Sequence, residues 1–461
     1  MRSPTRAGMR HLVPVSALLV ALVGAQGCAT LRSTRSTYDV GPNGIARSQL
    51  RLRDALANGD FATALAYPED DQLLRELMTG ASSYYASQFA RSAAILDSAA
   101  LLADDRITAS VSKDLGALLT NDMARPYAPR RTERLFIAYY GMMSYARLEQ
   151  WPDAAVEARR LSGLLAQYGT DRSDAERATQ ATLHYLTGVV FEKAGEKEEA
   201  RVAYRIAGTL APSVLDSAHA RRDSDEGDVV VVVERGFVAH RTGESLNLFF
   251  DDDRPDSDRA GDREGTARIA SRIVSDMTRG NYSGGSSHAR HREHGDGDGY
   301  WLEVSIPSLR RSSRPRGEPE VEMEGARKAS VHLTSVVDDA TEEDARRERA
   351  EWLTRAVARA STKYVVSKAV KDKNGDVAGQ IANIGASLLE RADIRSWHLL
   401  PQEITLVRMR ARAGARHATV TLGGASGEPV DVGMVHVQPG QVAIATVRIW
   451  NQPRQRLIAG R

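Results

Sequence analysis

Five consecutive valines, Val229 to Val233, run into Glu234, Arg235 and Gly236. A segment that is apolar at every position reads as a strand covered on both faces, because a strand with one wet face alternates apolar and polar residues. The run also marks a change of period. Ahead of it apolar residues, mostly alanine and leucine, recur at helical spacing, whereas after Asp228 they recur as extended segments. The expected fold class is therefore α+β and multidomain: a helical unit over 47–216, a mixed α/β unit over 228–415, and β-hairpins over 416–461.

The helical unit reads as antiparallel pairs. From His184 to Pro212, the residues Gly188, Phe191, Ala200, Tyr204, Ala207 and Pro212 fall at the spacings of a tetratricopeptide repeat. Each type has a packing reason. Gly188 and Ala200 let two helices approach closely, Phe191 and Tyr204 fill the space between them, and Pro212 ends the second helix. Leu135 to Leu148 with Pro152 to Leu165 form a second pair, and Leu73 to Leu102 a third, with Gly80, Phe89, Leu96 and Ala99 at comparable positions. Asn58, Gly59, Asp60 and Phe61 mark a further turn between helices. The spacing between equivalents exceeds the roughly 34 residues of a regular repeat, so the array is a degenerate TPR-like solenoid. Its concave face either binds a partner or is filled by the second half of the chain.

In the second half, Phe237 to Phe250 reads as one or two strands with a turn near Thr242 and Gly243, and Trp301 to Ile306 and Val331 to Val337 are further strands. Residues 251–299 interrupt them with an acidic, Ser/Gly/Arg/His-rich insertion whose composition is that of a disordered segment. His288, His291 and His294 recur every three residues there and are weak metal candidates, because the flanking glycines and serines oppose the helix that would align them. A long helix is expected from Thr341 to about Val370, begun by the capping pattern Thr341 to Asp344. Arg355, Arg359 and Lys363 recur on it every four residues as a basic stripe, a candidate binding surface.

The segment ADIRSWHLLP follows, with Trp397 as a core anchor, Asp393 and Arg395 as a pair fixing the turn, and the three together as candidate binding residues. Asp393 and His398 could also be drawn as an acid and base, with no nucleophile or oxyanion site beside them. A strand at Ile404 to Arg410 leads to closing hairpins: Ala418 to Leu422, a Gly423–Gly424 turn, Val430 to Val437, a Pro439–Gly440 turn, and Val442 to Trp450.

Cys28 is the only cysteine, so no intramolecular disulfide can form. It follows basic Arg2, Arg6 and Arg10, an apolar core from Leu12 to Val23 too short to span a bilayer, and small residues from Gly24 to Gly27. Residues 1–27 thus look like a lipoprotein signal peptide, with Ala25 where such boxes usually carry leucine, and residues 28–46 like a flexible tether. Lipidation of Cys28 would hold the chain on a membrane. Ala29, in place of an inner-membrane aspartate, points to the outer membrane and its periplasmic side. With 62 basic and 60 acidic side chains the net charge is +2, which argues against nucleic acid as a partner.

The signal box, the degenerate helical hairpins, the valine-rich strand, a Trp301 to Pro307 segment, the basic helix and ADxRSWxxLP together make the chain similar to a family of uncharacterised bacterial envelope lipoproteins. The resemblance covers most of residues 47–422 apart from the insertion, and it implies location and architecture rather than an activity. There is no nucleophile elbow, phosphate loop, HExxH or dinucleotide fingerprint. The expected function is a lipid-anchored scaffold without catalysis or cofactor, whose repeats bind another envelope or secretion protein. The rival expectation is an envelope enzyme or receptor acting on cell-wall or surface polysaccharide through the β-rich half.

Overall fold

The computed structural model describes residues 47–112, 125–168, 173–217, 223–251, 299–312, 316–374, 392–423 and 428–450. Cys28, the rest of the stretch 28–46 expected to be a tether, and His288, His291 and His294 lie outside the described residues, as does the side chain of Lys363. The chain mixes helices and sheets. Among the described residues no helix is long and apolar enough to cross a membrane.

Helices come first: α1 (Arg47–Ala57), α2 (Phe61–Leu65), α3 (Gln72–Tyr85), α4 (Phe89–Ser112), α5 (Arg131–Arg147), α6 (Trp151–Ala166), α7 (Asp174–Ala194) and α8 (Lys197–Leu210). One local device reverses the chain four times. Gly59, Ser87, Glu149 and Gly195 each adopt a left-handed backbone, with φ of 72°, 60°, 57° and 82°. The next amide in each case donates back across the turn: Asp60 to Ala55, Gln88 to Ser83, Gln150 to Tyr145 and Glu196 to Phe191, at 2.8, 2.8, 3.0 and 2.9 Å. These bonds satisfy carbonyls that the helix end would orphan.

Three hairpins close on a glycine. A Cβ at Gly80 would stand 2.8 Å from Leu96, at Gly141 3.2 Å from Glu157, and at Gly188 2.7 Å from Tyr204. Each contact lies sixteen positions further along, so one close approach recurs in α3/α4, α5/α6 and α7/α8. Phe191, Ala200 and Ala207 are buried in the same core. Pro212 opens a 3-10 turn after α8.

The strands are β1 (Glu226–Arg235), β2 (His240–Asp251), β3 (Gly299–Arg310), β4 (Pro319–Met323), β5 (Val331–Val336), β6 (Glu403–Arg412), β7 (Gly414–Leu422), β8 (Val430–Val437) and β9 (Val442–Ile449), with helix α9 (Val337–Asn374) between β5 and β6. The central sheet has the order β5-β6-β1-β9. All ten residues of β1 are buried. Val230 and Val232 face a core shared with the helices, while Val229, Val231 and Val233 face a second core shared with β7 and β8. The double coverage expected of the valine run thus has a specific form. Helices cover one face, and the three-stranded sheet β4-β7-β8 covers the other.

Several expectations are corrected. No turn interrupts Thr242 and Gly243: β2 runs straight and pairs antiparallel with β3, setting Thr242 opposite Ser308 and Gly243 opposite Pro307. Helix α9 begins at Val337 directly after β5, and Asp338 in its first turn accepts the amide of Ala239 at 2.6 Å. Thr341 lies inside the helix with its hydroxyl on the Val337 carbonyl, and Asp344 accepts the amide of Thr132 from α5 instead of capping α9. The last strand forms no hairpin with β8. After Gly440, whose φ is 71°, β9 passes to the central sheet and lies parallel to β1, with Val231 opposite Ala445.

Candidate functional site

The side chains with the most unusual surroundings lie where the helical layer meets the central sheet. Glu234 ends the valine strand on its helix-facing side. Tyr139 donates to its Oε1 at 2.6 Å, Tyr85 to its Oε2 at 3.1 Å, and Arg448 of β9 stands 3.6 Å away. Burial pushes the Glu234 carboxyl up, against Arg448 and the two tyrosine donors that hold it down. The Arg448 guanidinium also donates to the Gly236 carbonyl and lies 4.5 Å from the Trp450 ring centre, 5.2 Å from Tyr85 and 5.5 Å from Phe237. Such rings replace part of the hydration a buried cation has lost.

A second buried cation comes from the first helix. Arg53 of α1 donates through Nη2 to the carbonyls of Val238 and His398, at 2.8 and 2.9 Å, and covers Phe237 at 5.0 Å. Burial depresses the Arg53 guanidinium to about 9. His398 does not meet Asp393: its Nδ1 accepts from Arg53 Nε at 3.3 Å. The proposed acid and base are therefore separate, and burial together with Arg53 drives the His398 imidazole well below its usual value.

Asp393 instead grips Arg395, whose Nε and Nη2 donate to its two oxygens at 2.8 and 2.9 Å. Arg395 further donates to the carbonyl of Arg125 at 2.8 Å and approaches Asp71, the cap of α3. Trp397 is 1% exposed, and its amide donates to Glu133 Oε1 at 2.8 Å. The other oxygen of Glu133 accepts the amide of Arg130 at the start of α5. The segment thus clasps the starts of α3 and α5 to the sheet.

On α9, Arg355 pairs with Glu351. Arg359 is buried at 3% exposure, so the expected solvent-facing basic stripe is broken in its middle. The outer helices carry a different surface. Leu101 of α4 is 70% exposed, Val156 of α6 54%, and Val202 and Ile206 of α8 40% and 36%. Arg160 of α6 meets Asp104 of α4 at 3.1 Å, and Arg159 meets Glu196 just ahead of α8 at 2.6 Å, so ion pairs link α6 to α4 and to the start of α8.

Two small cavities lie in the seam, each of about 20 Å³. One is bounded by Glu234, Arg448, Arg147 and Tyr84, the other by Arg130, Glu133, Asp344, Ser396 and Trp397. Each has room for about one water molecule. Burial pushes Asp344 up to about 6. Among the described residues no group of three His, Cys, Asp or Glu side chains gathers as a metal centre.

Sequence reading passed over Arg53, Glu234 and Arg448 as site residues. The available signal was a charge placed at or inside an apolar segment, as Glu234 and Arg448 are. Arg53, in an ordinary amphipathic helix, gave none.

The fold defines an α+β protein in which helical hairpins are closed over a sheet by a buried charged seam. Comparison with protein-family models, with curated proteins and with solved structures found no match.

Proposed function

We propose that the protein is a non-catalytic adaptor of the bacterial envelope, held on the periplasmic side of the outer membrane by lipid on Cys28 and binding a partner protein through its helical array. The array is read as TPR-like, and what supports that reading is the fourfold left-handed turn together with the glycine contact repeated in three hairpins.

The observation that carries the adaptor role is the division of the helical layer into two sides. Its inner side is occupied by the protein's own Val230, Val232, Leu406 and Trp450. Partner binding is therefore assigned to the outer helices, where Leu101, Val156, Val202 and Ile206 meet solvent. Val202 and Ile206 stand four apart on α8, the spacing that receives the apolar side of an amphipathic helix. The occupant is accordingly an envelope protein presenting such a helix. The polysaccharide reading has less support, because the cavities holding Glu234 and Asp344 are too small for a sugar ring.

The test is crosslinking in intact cells, comparing the native chain with a Leu101→Glu, Val156→Glu, Val202→Glu variant. Loss of one crosslinked species at unchanged melting temperature is expected. A crosslinking pattern that survives the substitutions sinks the outer-helix assignment, and insensitivity of the precursor to globomycin sinks the lipid anchor.

A further inference from the structure

Met434 is 54% exposed in the middle of β8, while Val432, Val435 and Val437 of the same strand are buried. The antiparallel register sets His417 of β7 directly opposite Met434 and His436 opposite Ala415. Opposed residues share a side of the sheet, as do residues two apart on one strand. His417, Met434 and His436 therefore stand together on the outer side, and each is exposed.

A register shift between Ala418 and Thr419 adds a fourth group. It brings Asp431 Oδ1 to 2.8 Å from His417 Nε2, and the same oxygen accepts the amide of Gly433 at 2.7 Å. A carboxylate only accepts, so Nε2 carries a proton, and in the neutral imidazole Nδ1 is the nitrogen with the lone pair. Carboxylates hold metal-binding histidines in this way, fixing the tautomer and the ring.

We propose that this face of the β7–β8 hairpin binds one Cu(I) ion through His417 Nδ1, the Met434 thioether and a ring nitrogen of His436, with Asp431 as a positioning residue. Directly opposed Cβ atoms in such a pair lie about 5 Å apart, and diagonal ones roughly 7 Å, within reach of His and Met side chains meeting at a common ion. Only exposed side chains must turn, between ordinary staggered rotamers. The thioether selects the metal. Two imidazoles alone serve zinc or nickel as well, but sulfur of this kind favours soft monovalent copper over hard cations. The proposal does not depend on the adaptor reading.

The experiment uses the full chain carrying Cys28→Ser, His288→Ser, His291→Ser and His294→Ser, which removes the only thiol and the histidine-rich segment as copper donors. Cu(I) is titrated against the chromogenic chelator bathocuproine disulfonate. The expected result is one retained equivalent, weakened at least tenfold by Met434→Leu and by His436→Gln, with Asp431→Asn weakening it about tenfold as the loss of a second-sphere partner does. X-ray absorption should show one sulfur and two nitrogen neighbours, and zinc should not displace the copper. Failure to retain Cu(I), retention indifferent to Met434→Leu, or displacement by equimolar zinc would each overturn the assignment.

Discussion

Arg53 Nε donates to Nδ1 of His398 at 3.3 Å, joining two residues 345 positions apart in the sequence. The bond ties the first described helix to the strap between α9 and β6, and it requires a neutral imidazole. Tyr67, His240 and the Asp338 and Arg448 charges that act on Arg53 surround the pair.

The pH response follows from the depressed imidazole. The unfolded chain takes up a proton at His398 below about pH 6.5, whereas the folded chain does so only at lower pH. The stabilising contribution is thus fully present above about pH 6.5 and is lost as the pH falls below it, with a slope of up to about 1.4 kcal/mol per unit. His398→Asn keeps an acceptor toward Arg53 and cannot titrate. Urea denaturation should show a flatter stability curve between about pH 6.5 and 5, and an unaltered slope refutes the assignment.

Asp344 responds in the opposite sense. Burial raises its carboxyl to about 6, above the roughly 3.9 of an unfolded aspartate, so its contribution is present at low pH and is lost as the pH rises through 6. Asp344→Asn retains an acceptor for the Thr132 amide without the charge. Its melting temperature relative to the native chain should therefore be higher at pH 7.5 than at pH 4.5, by scanning calorimetry.

The helix turns make a local prediction. Ser87 and Glu149 hold left-handed φ values of 60° and 57°, a conformation costing a side-chain-bearing residue about 1 kcal/mol. Glycine relieves that strain and loses part of the gain to its freer unfolded chain. Ser87→Gly and Glu149→Gly should each stabilise by roughly 0.5 kcal/mol in denaturant midpoints. Gly195→Ala, at φ 82°, should destabilise by about 1 kcal/mol.

Gly188→Ala should cost more than Gly80→Ala. The new methyl at 80 meets Cδ2 and Cγ of Leu96, an aliphatic side chain with no polar anchor, but at 188 it meets the Tyr204 ring, whose hydroxyl is held on Glu192 at 2.6 Å. The range for such overpacking is about 1 to 3 kcal/mol. Equal thermal shifts for the two variants would mean that the tyrosine is not held.

What could be read from the sequence was what depends on near neighbours. Gly59 announces a turn, Gly188 and Gly80 announce close helix pairs, and the valines announce burial on both sides, each within a few residues of its cause. Pro439 and Gly440 announce a turn equally well, but whether β9 returns to β8 or crosses to β1 depends on which strand offers an open edge. The pairings of the seam were hidden for the same reason. Arg53, His398 and Tyr139 are each ordinary in their own segment, and Glu234, though a charge at the end of an apolar run, does not announce its partners, so only the fold brings them together.

Glu234 and Arg448 provide the sharpest test of the seam. Glu234→Gln keeps oxygen for one tyrosine donor but leaves Arg448 buried at 3% exposure without its facing carboxylate. Removing one member of such a buried pair costs about 3 to 5 kcal/mol, mostly through the charge left behind, whereas replacing both by apolar or neutral groups can be nearly neutral. Arg448→Met should be less harmful in the Glu234→Gln background than alone, because the Met side chain fills the space among Trp450, Tyr85 and Phe237 without needing a counter-charge. A double-mutant cycle in urea should give a coupling of at least about 1.5 kcal/mol. Additive effects would place Glu234 and Arg448 in separate interactions, with the tyrosines alone stabilising the carboxylate.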